Sequence, residues 1–348
     1  MQRRIIFNVQ LLRFIAAGSV LFTHTYTLLL SSPVLAAVPW THGVDIFFVI
    51  SGFIMTWMTH GQFGSGSDAK RFLVRRLVRI VPPYWFFTLL IILIVTAAGG
   101  RIRHTTVDPA QIVTSFLFIP WPGVAETYAP VLAQGWTLNY EMFFYLSFSL
   151  GLLFRRGLLV LVIAFAGLAA IHSYIPWTWF VLAYLSDPII LEFVAGIGIA
   201  RLYLGGTRLT PATSVLLIVA AVLWYAFWTV DAAAFTDLLR VGIPATLLTG
   251  ALILSPEPKT MGTFRRLLRK GGDGSYALYL SHTLTVNAVV LAAMKLGVDA
   301  PWLVIATAMF AATAFAVIFY DFVEAPFTAF LGRRFHARVA AGPGTVAP

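Results

Sequence analysis

The sequence predicts an all-α integral membrane protein with about ten transmembrane helices, cytoplasmic N- and C-termini and no appended soluble domain. Three observations carry this. First, 59% of the 348 residues are hydrophobic and only 11% are charged, against about 25% charged in an ordinary soluble domain. Second, apolar windows of about 18 residues, long enough to cross a bilayer as helices, recur along the whole chain. Third, the basic residues collect in alternate connections. Together these exclude a soluble globular enzyme, a disordered chain and a secreted disulfide scaffold. The chain has no cysteine, which excludes disulfides, thiolate metal sites and a cysteine acyl-enzyme.

The predicted spans run roughly 8–30, 43–60, 82–99, 137–154, 157–172, 188–204, 211–229, 238–254, 275–294 and 301–322. Backbone groups in lipid must be paired within the segment, so unbroken runs of this length are helices, and a barrel would need shorter alternating strands. With the N-terminus inside, 19 of the 24 Lys and Arg residues fall on the cytoplasmic side, from Arg3 and Arg4 to Arg333, Arg334 and Arg338. Only Arg101, Arg103, Arg240 and Lys295 fall outside, and Arg13 lies within the first span. That asymmetry is the positive-inside pattern. It makes the net charge of +10 a matter of orientation and lipid contact and argues against a nucleic-acid partner. Residues 1–338 read as one membrane domain and 339–348 as a flexible tail. The connection 100–136, rich in proline and aromatics, is expected to form a partly ordered cap, with a passive aromatic belt as the alternative. The start, Met1 to Arg4 before an apolar stretch and Val34 to Ala37, has the outline of a signal peptide. The stretch is too long for one, and Arg13 and His24 interrupt it.

Ionisable groups within spans are costly and point to function. Arg13 and His24 lie eleven residues apart on the first span, about 20° from the same face and about 16 Å apart along it. Arg13 could alternatively snorkel to the inner headgroups, and His24 could be a core histidine bonded to a carbonyl. Asp45 opens the second span and Glu141 the fourth. Glu141 is expected roughly 6 Å and His24 roughly 9 Å below the outer edge, so Glu141 or Asp45 is expected to orient the His24 imidazole as a base. Asp187 and Glu192 are candidates for an acceptor path. On the inner side Arg75, Arg76 and Arg79 share one helix face, a guanidinium ridge suited to a phosphate-rich ligand or to anionic lipid. Ser275, Tyr279 and His282 form one polar stripe on the ninth span. Metal-ligand and nucleotide motifs are missing, so no metal is expected.

Read together, these residues resemble the membrane acyltransferase-3 family, especially its exopolysaccharide O-acetyltransferase members. The resemblance covers nearly the whole chain. It rests on Arg13 and His24 of the first helix, the Gly43–Phe53 run with Asp45 and Ser51, and Arg76, Arg79, Ile80, Pro82, Tyr84 and Trp85. It rests also on the Glu141 helix, the run Ser275–His282, and Val323, Glu324, Pro326 and Phe327. The resemblance implies a multi-pass bacterial inner-membrane enzyme that moves an acyl group, most often acetyl, from cytosolic acyl-CoA to a hydroxyl of an extracytoplasmic or lipid-linked glycan. In that reading His24, Glu141, Asp45 and Arg13 form the catalytic set. Arg75, Arg76, Arg79, Tyr279 and His282 hold acetyl-CoA. His24 acts as a general base or carries the acyl group covalently. The alternatives are the same chemistry on a small-molecule metabolite, and a proton-coupled transporter using Arg13, His24 and Glu141 as a relay.

Overall fold

The computed structural model describes residues 6–30, 43–97, 108–122, 129–227 and 237–340. Arg3, Arg4, the stretch Val34–Ala37, His42, Arg101, Arg103 and residues 341–348 of the tail lie outside the described residues. Among those described there are helices and turns and no strand. The long helices are α1 (Phe7–Leu30), α2 (Gly43–Met58), α3 (Gly66–Ala97), a short α4 (Pro109–Phe116), α5 (Trp136–Gly151) and α6 (Gly157–Ala170). A short α7 (Phe180–Leu185), α8 (Leu191–Leu204), α9 (Pro211–Phe227) and α10 (Ile243–Ile253) follow. The last four are α11 (Thr263–Asp273), α12 (Ser275–Lys295), α13 (Pro301–Phe319) and α14 (Ala325–Ala340).

Helices therefore occupy each window that the hydropathy pattern marked. Gly66–Ala97, Ser275–Lys295 and Pro301–Arg334 are long and apolar enough to cross a membrane by themselves, and several other apolar helices are shorter. Large apolar side chains point outward along these elements. Leu93 is 64% exposed and Phe310 77% exposed, a cost no water-soluble surface carries as a belt but one that lipid removes. The molecule is a membrane protein whose interior is built from aromatics instead. Phe48, Phe53, Phe72, Phe144, Phe148 and Phe193 are all but fully buried, and Phe144 stacks on Phe193 with centroids 4.3 Å apart.

Two features position the site. The first is the tight crossing of α2 and α8. A Cβ at Gly52 would collide with the Phe193 carbonyl, and a Cβ at Gly196 with that of Val49. Gly52 and Gly196 allow this close approach as a reciprocal pair. At its start α2 meets α1 in the same way, where Gly43 lies against the Ala16 carbonyl. The second is α3, which is one helix of 32 residues through Pro82 and Pro83. The hydropathy pattern places the span at 82–99 and the arginine ridge before it; interior prolines remove backbone donors and crowd the carbonyl one turn back. Here the helix continues, and the Tyr276 hydroxyl of α12 donates to the Ile80 carbonyl at 2.8 Å beside the prolines. The arginine face of α3 is thus carried rigidly into the bundle.

The central helix α1 packs against α2, α11, α12 and α13. The backbone N–H groups of Phe7 and Asn8, which have no partner within the helix, donate to the Glu257 carboxylate at 2.9 and 3.2 Å. In the connection read as a cap, α4 is held by its Asp108 N-cap and by Gln111, whose amide donates to the Ala129 carbonyl at 2.9 Å. After it Phe118 has φ 56°, unlike every other non-glycine residue described. That strained backbone is held by the Phe118 ring lying 4.7 Å from that of Tyr84.

Candidate active site

Five helices converge on a cavity holding about 720 Å³ of free space, its open mouth included. α1 supplies Arg13, α2 Ser51, α3 Arg76 and Arg79, α5 Thr137, Glu141 and Tyr145, and α12 Tyr276 and Tyr279. The spacings explain the convergence. Arg76 and Arg79 are one turn apart on one face, as are Tyr276 and Tyr279, and Glu141 and Tyr145 lie i,i+4 on α5.

Two of the three guanidiniums are held by specific contacts. Arg13 is 7% exposed and donates to Gln10 at 3.1 Å, and Gln10 in turn donates to Asp273 at 2.8 Å. Arg76 is 6% exposed and reaches the Met58 sulfur at 3.0 Å. Its Nε is buried without a partner among the described residues. Glu141 accepts from the Ser51 hydroxyl, and the Tyr145 hydroxyl lies against the same carboxylate. Its charge acts on Arg76 and Arg79. In the wall, three cations face one carboxylate, with Glu324 and Asp273 near Arg13 beyond it. The excess is positive, and an orphaned buried guanidinium N–H asks for an acceptor. The lining suits an anion of the size and hydrogen-bonding habit of phosphate.

Arg13, Arg76, Arg79, Glu141 and Tyr279 are brought together, whereas Arg75, His282, His24 and Asp45 are not in this wall. The expectation that Glu141 or Asp45 orients His24 is not met in this geometry, because each carboxylate is held by other groups. The ring beside His24 is that of His282, at 5.0 Å between centroids and 45°. His282 also lies 6.1 Å from Tyr279, so a line of rings leads from the cavity to His24. Tyr279 donates to the Gln134 carbonyl at 3.1 Å and lies 2.9 Å from the Thr137 hydroxyl.

Asp45 belongs to a second cavity at the opposite end from the arginines, with about 860 Å³ of free space. Asp187, Glu192, Asp237, Trp136 and Tyr140 line it, and Val44 lines both cavities. The Asp45 and Glu192 carboxyls hydrogen-bond each other, which requires a proton between them. Burial pushes the Asp187 carboxyl above its ordinary value, and the N–H of Ile189 holds it back in part. The starts of α2, α5 and α8 meet here, and helix N-termini tolerate carboxylates.

Sequence reasoning gave Tyr145 and Tyr276 no place in a site, and read Glu192 as an acceptor-path candidate without naming its partner. The i,i+4 step from Glu141 and the i,i+3 step from Tyr279 were the available signals for the two tyrosines. A partner for Glu192 depends on the α2–α8 crossing and has no sequence signal. Among the described residues no group of His, Asp and Glu has metal-binding geometry.

Comparison with known proteins bears on this arrangement. The acyltransferase-3 family, described as an acyltransferase domain, matches residues 6–321. The chain is 32% identical over 307 residues to the exopolysaccharide production protein ExoZ of Rhizobium meliloti (strain 1021), covering 86% of this chain and 92% of that protein. It is 29% identical over 329 residues to nodulation protein 10 of Rhizobium leguminosarum bv. viciae, covering 81% of this chain and 83% of that one. No solved structure matches. A membrane-embedded helical bundle with a buried cationic cavity, matched over nearly its whole length, belongs to the acyltransferase-3 family and is a membrane O-acyltransferase.

Proposed function

We propose that the protein transfers an acetyl group from cytosolic acetyl-CoA to a hydroxyl of an extracytoplasmic or lipid-linked glycan at the bacterial inner membrane. Ten spans with both termini inside put the arginine end of the bundle in the cytoplasm and the Asp45 cavity outside. The observation that carries the reading is the cavity in which Arg13, Arg76 and Arg79 outnumber Glu141. Phosphates of the donor would be bound there by Arg76 and Arg79, and the thioester end would point along Tyr279 toward His24. The relative named for exopolysaccharide production favours a glycan acceptor. Trp136 offers a face for a sugar ring, and the carboxyls of the outer cavity offer acceptors for sugar hydroxyls.

In the reaction the acceptor oxygen bonds to the acyl carbon and the carbon–sulfur bond breaks. The hydroxyl proton passes to His24 and then to the departing thiolate, giving an ester and free CoA. Arg13 steers the donor or steadies the negative charge that develops on the thioester oxygen. The test is purified protein in nanodiscs with acetyl-labelled acetyl-CoA, following CoA release and label transfer to a glycan-lipid fraction. His24→Ala is expected to bind acetyl-CoA normally and to lose transfer by about 100-fold or more, the usual contribution of a positioned base. Transfer by that variant at the wild-type rate overturns the assignment of His24. Failure of the wild type to bind acetyl-CoA overturns the donor.

A further inference from the structure

We infer that His282 is the positioning residue of His24: its Nε2 receives an N–H of the His24 imidazole and holds that ring in the tautomer and orientation the transfer needs. The inference rests on the reading of His24 as the base. It begins from a buried atom without a partner. His282 is 1% exposed. Its Nδ1 lies 2.8 Å from the carbonyl of Tyr279, one turn back on α12. A carbonyl only accepts, so Nδ1 carries the proton and Nε2 carries a lone pair. Nε2 is buried and bonded to nothing among the described residues, a condition that costs free energy until a donor is supplied.

The group set against it is His24, with ring centroids 5.0 Å apart. Ring nitrogens stand off their centroids, so a modest rotation about the exposed His24 side chain brings a His24 nitrogen to the roughly 2.9 Å of a hydrogen bond. His24 is free to make that rotation on the outer side and His282 is not, since Tyr279, Gln134 and Thr283 fix its helix. Gln134 bonds Thr283 at 2.7 Å, and Tyr279 bonds Gln134. The carboxylates cannot substitute. Glu141 is engaged by Ser51 beside the arginines, and Asp45 by Glu192 in the outer cavity. A neutral imidazole has one further property that a carboxylate lacks. It orients His24 without adding a negative charge next to an incoming thioester, and it leaves the second His24 nitrogen as the base.

The test measures kcat and KM for acetyl-CoA in His282→Ala, His282→Asn and His282→Gln, beside His24→Ala. Glutamine places an amide oxygen near the position of Nε2, whereas asparagine replaces only the Nδ1 donor. The expected result is a kcat lowered about 10- to 100-fold in the Ala and Asn variants, an unchanged KM, a smaller loss in Gln, and partial recovery of His282→Ala by added imidazole. As an activity-independent measure, diethyl pyrocarbonate labelling of His24, read by peptide mass, should slow in Ala and Asn and recover in Gln. Wild-type kcat in His282→Ala, beside an inactive His24→Ala, overturns the inference and leaves the proposed function standing. So does a raised KM at constant kcat, which would make His282 a donor-binding residue. So does an equal loss in all three variants with lowered thermal stability and no imidazole rescue, which would make it structural. An active His24→Ala overturns the underlying reading itself.

Discussion

Arg79→Gln tests the anion site most directly. Arg79 lines the cavity, and its charge acts on Arg13, Asp273, Glu141 and Glu324, so it stands at the centre of the network. Arg76 is the poorer choice, because it is almost fully buried and its removal would disturb the packing around it. Glutamine keeps a donor and much of the stem but loses the charge and the two-pronged geometry. A hydrogen bond to a charged group contributes about 1.5–3 kcal/mol. Loss of one such bond to phosphate therefore weakens donor binding roughly 10- to 150-fold. The assay is calorimetric titration of acetyl-CoA, and of CoA alone, into protein in nanodiscs at two salt concentrations. Arg208→Gln is the control, because that side chain bonds the Tyr203 and Thr207 carbonyls away from the cavity. Equal affinity of Arg79→Gln and wild type, or an equal loss in Arg208→Gln, would refute the reasoning, since then the cavity charge does not bind the donor.

Three further outcomes follow from the same geometry. Glu141→Gln should keep the Ser51 bond and bind CoA several-fold more tightly while transferring less, since the cavity loses its one opposing wall charge; titration and label transfer together check this. Gly196→Leu should lower membrane abundance and thermal stability by about 1–3 kcal/mol or more, because its side chain meets the Val49 carbonyl across the α2–α8 crossing; detergent melting curves measure it. Glu192→Gln should raise the KM for the glycan acceptor without changing that for acetyl-CoA, as only the outer cavity is altered; a two-substrate kinetic matrix separates the two.

The helical class and the membrane solvent were legible because lipid imposes long apolar windows and forbids unpaired backbone. Glu141 was legible as chemistry, since charge inside a span demands a reason, and Arg76 with Arg79 as a guanidinium ridge on one helix face. What they face was not. Glu141 and His24 stand at similar depth by residue counting, yet depth along an axis says nothing of azimuth, and Glu141 turns to Ser51 and the arginines. Asp45 is likewise claimed by Glu192, a pairing created only where Gly52 and Gly196 let two helices touch. The passage of α3 through Pro82 and Pro83 was hidden for a related reason. Hydropathy begins the span at the prolines, whereas the structure shows one continuous helix into which Tyr276, almost 200 residues away in sequence, donates at the Ile80 carbonyl.

Val44 lines both cavities, and that thin partition bears on how the cell's acyl donor is conserved. An enzyme that holds an activated thioester on one side of a bilayer and an aqueous cavity on the other risks plain hydrolysis whenever water reaches the acyl carbon. On the proposed reading of donor and acceptor, a branched apolar side chain between the two spaces would keep acceptor-side water from the thioester. On that reading, thinning the wall would turn the enzyme from acyl transfer toward hydrolysis of its donor.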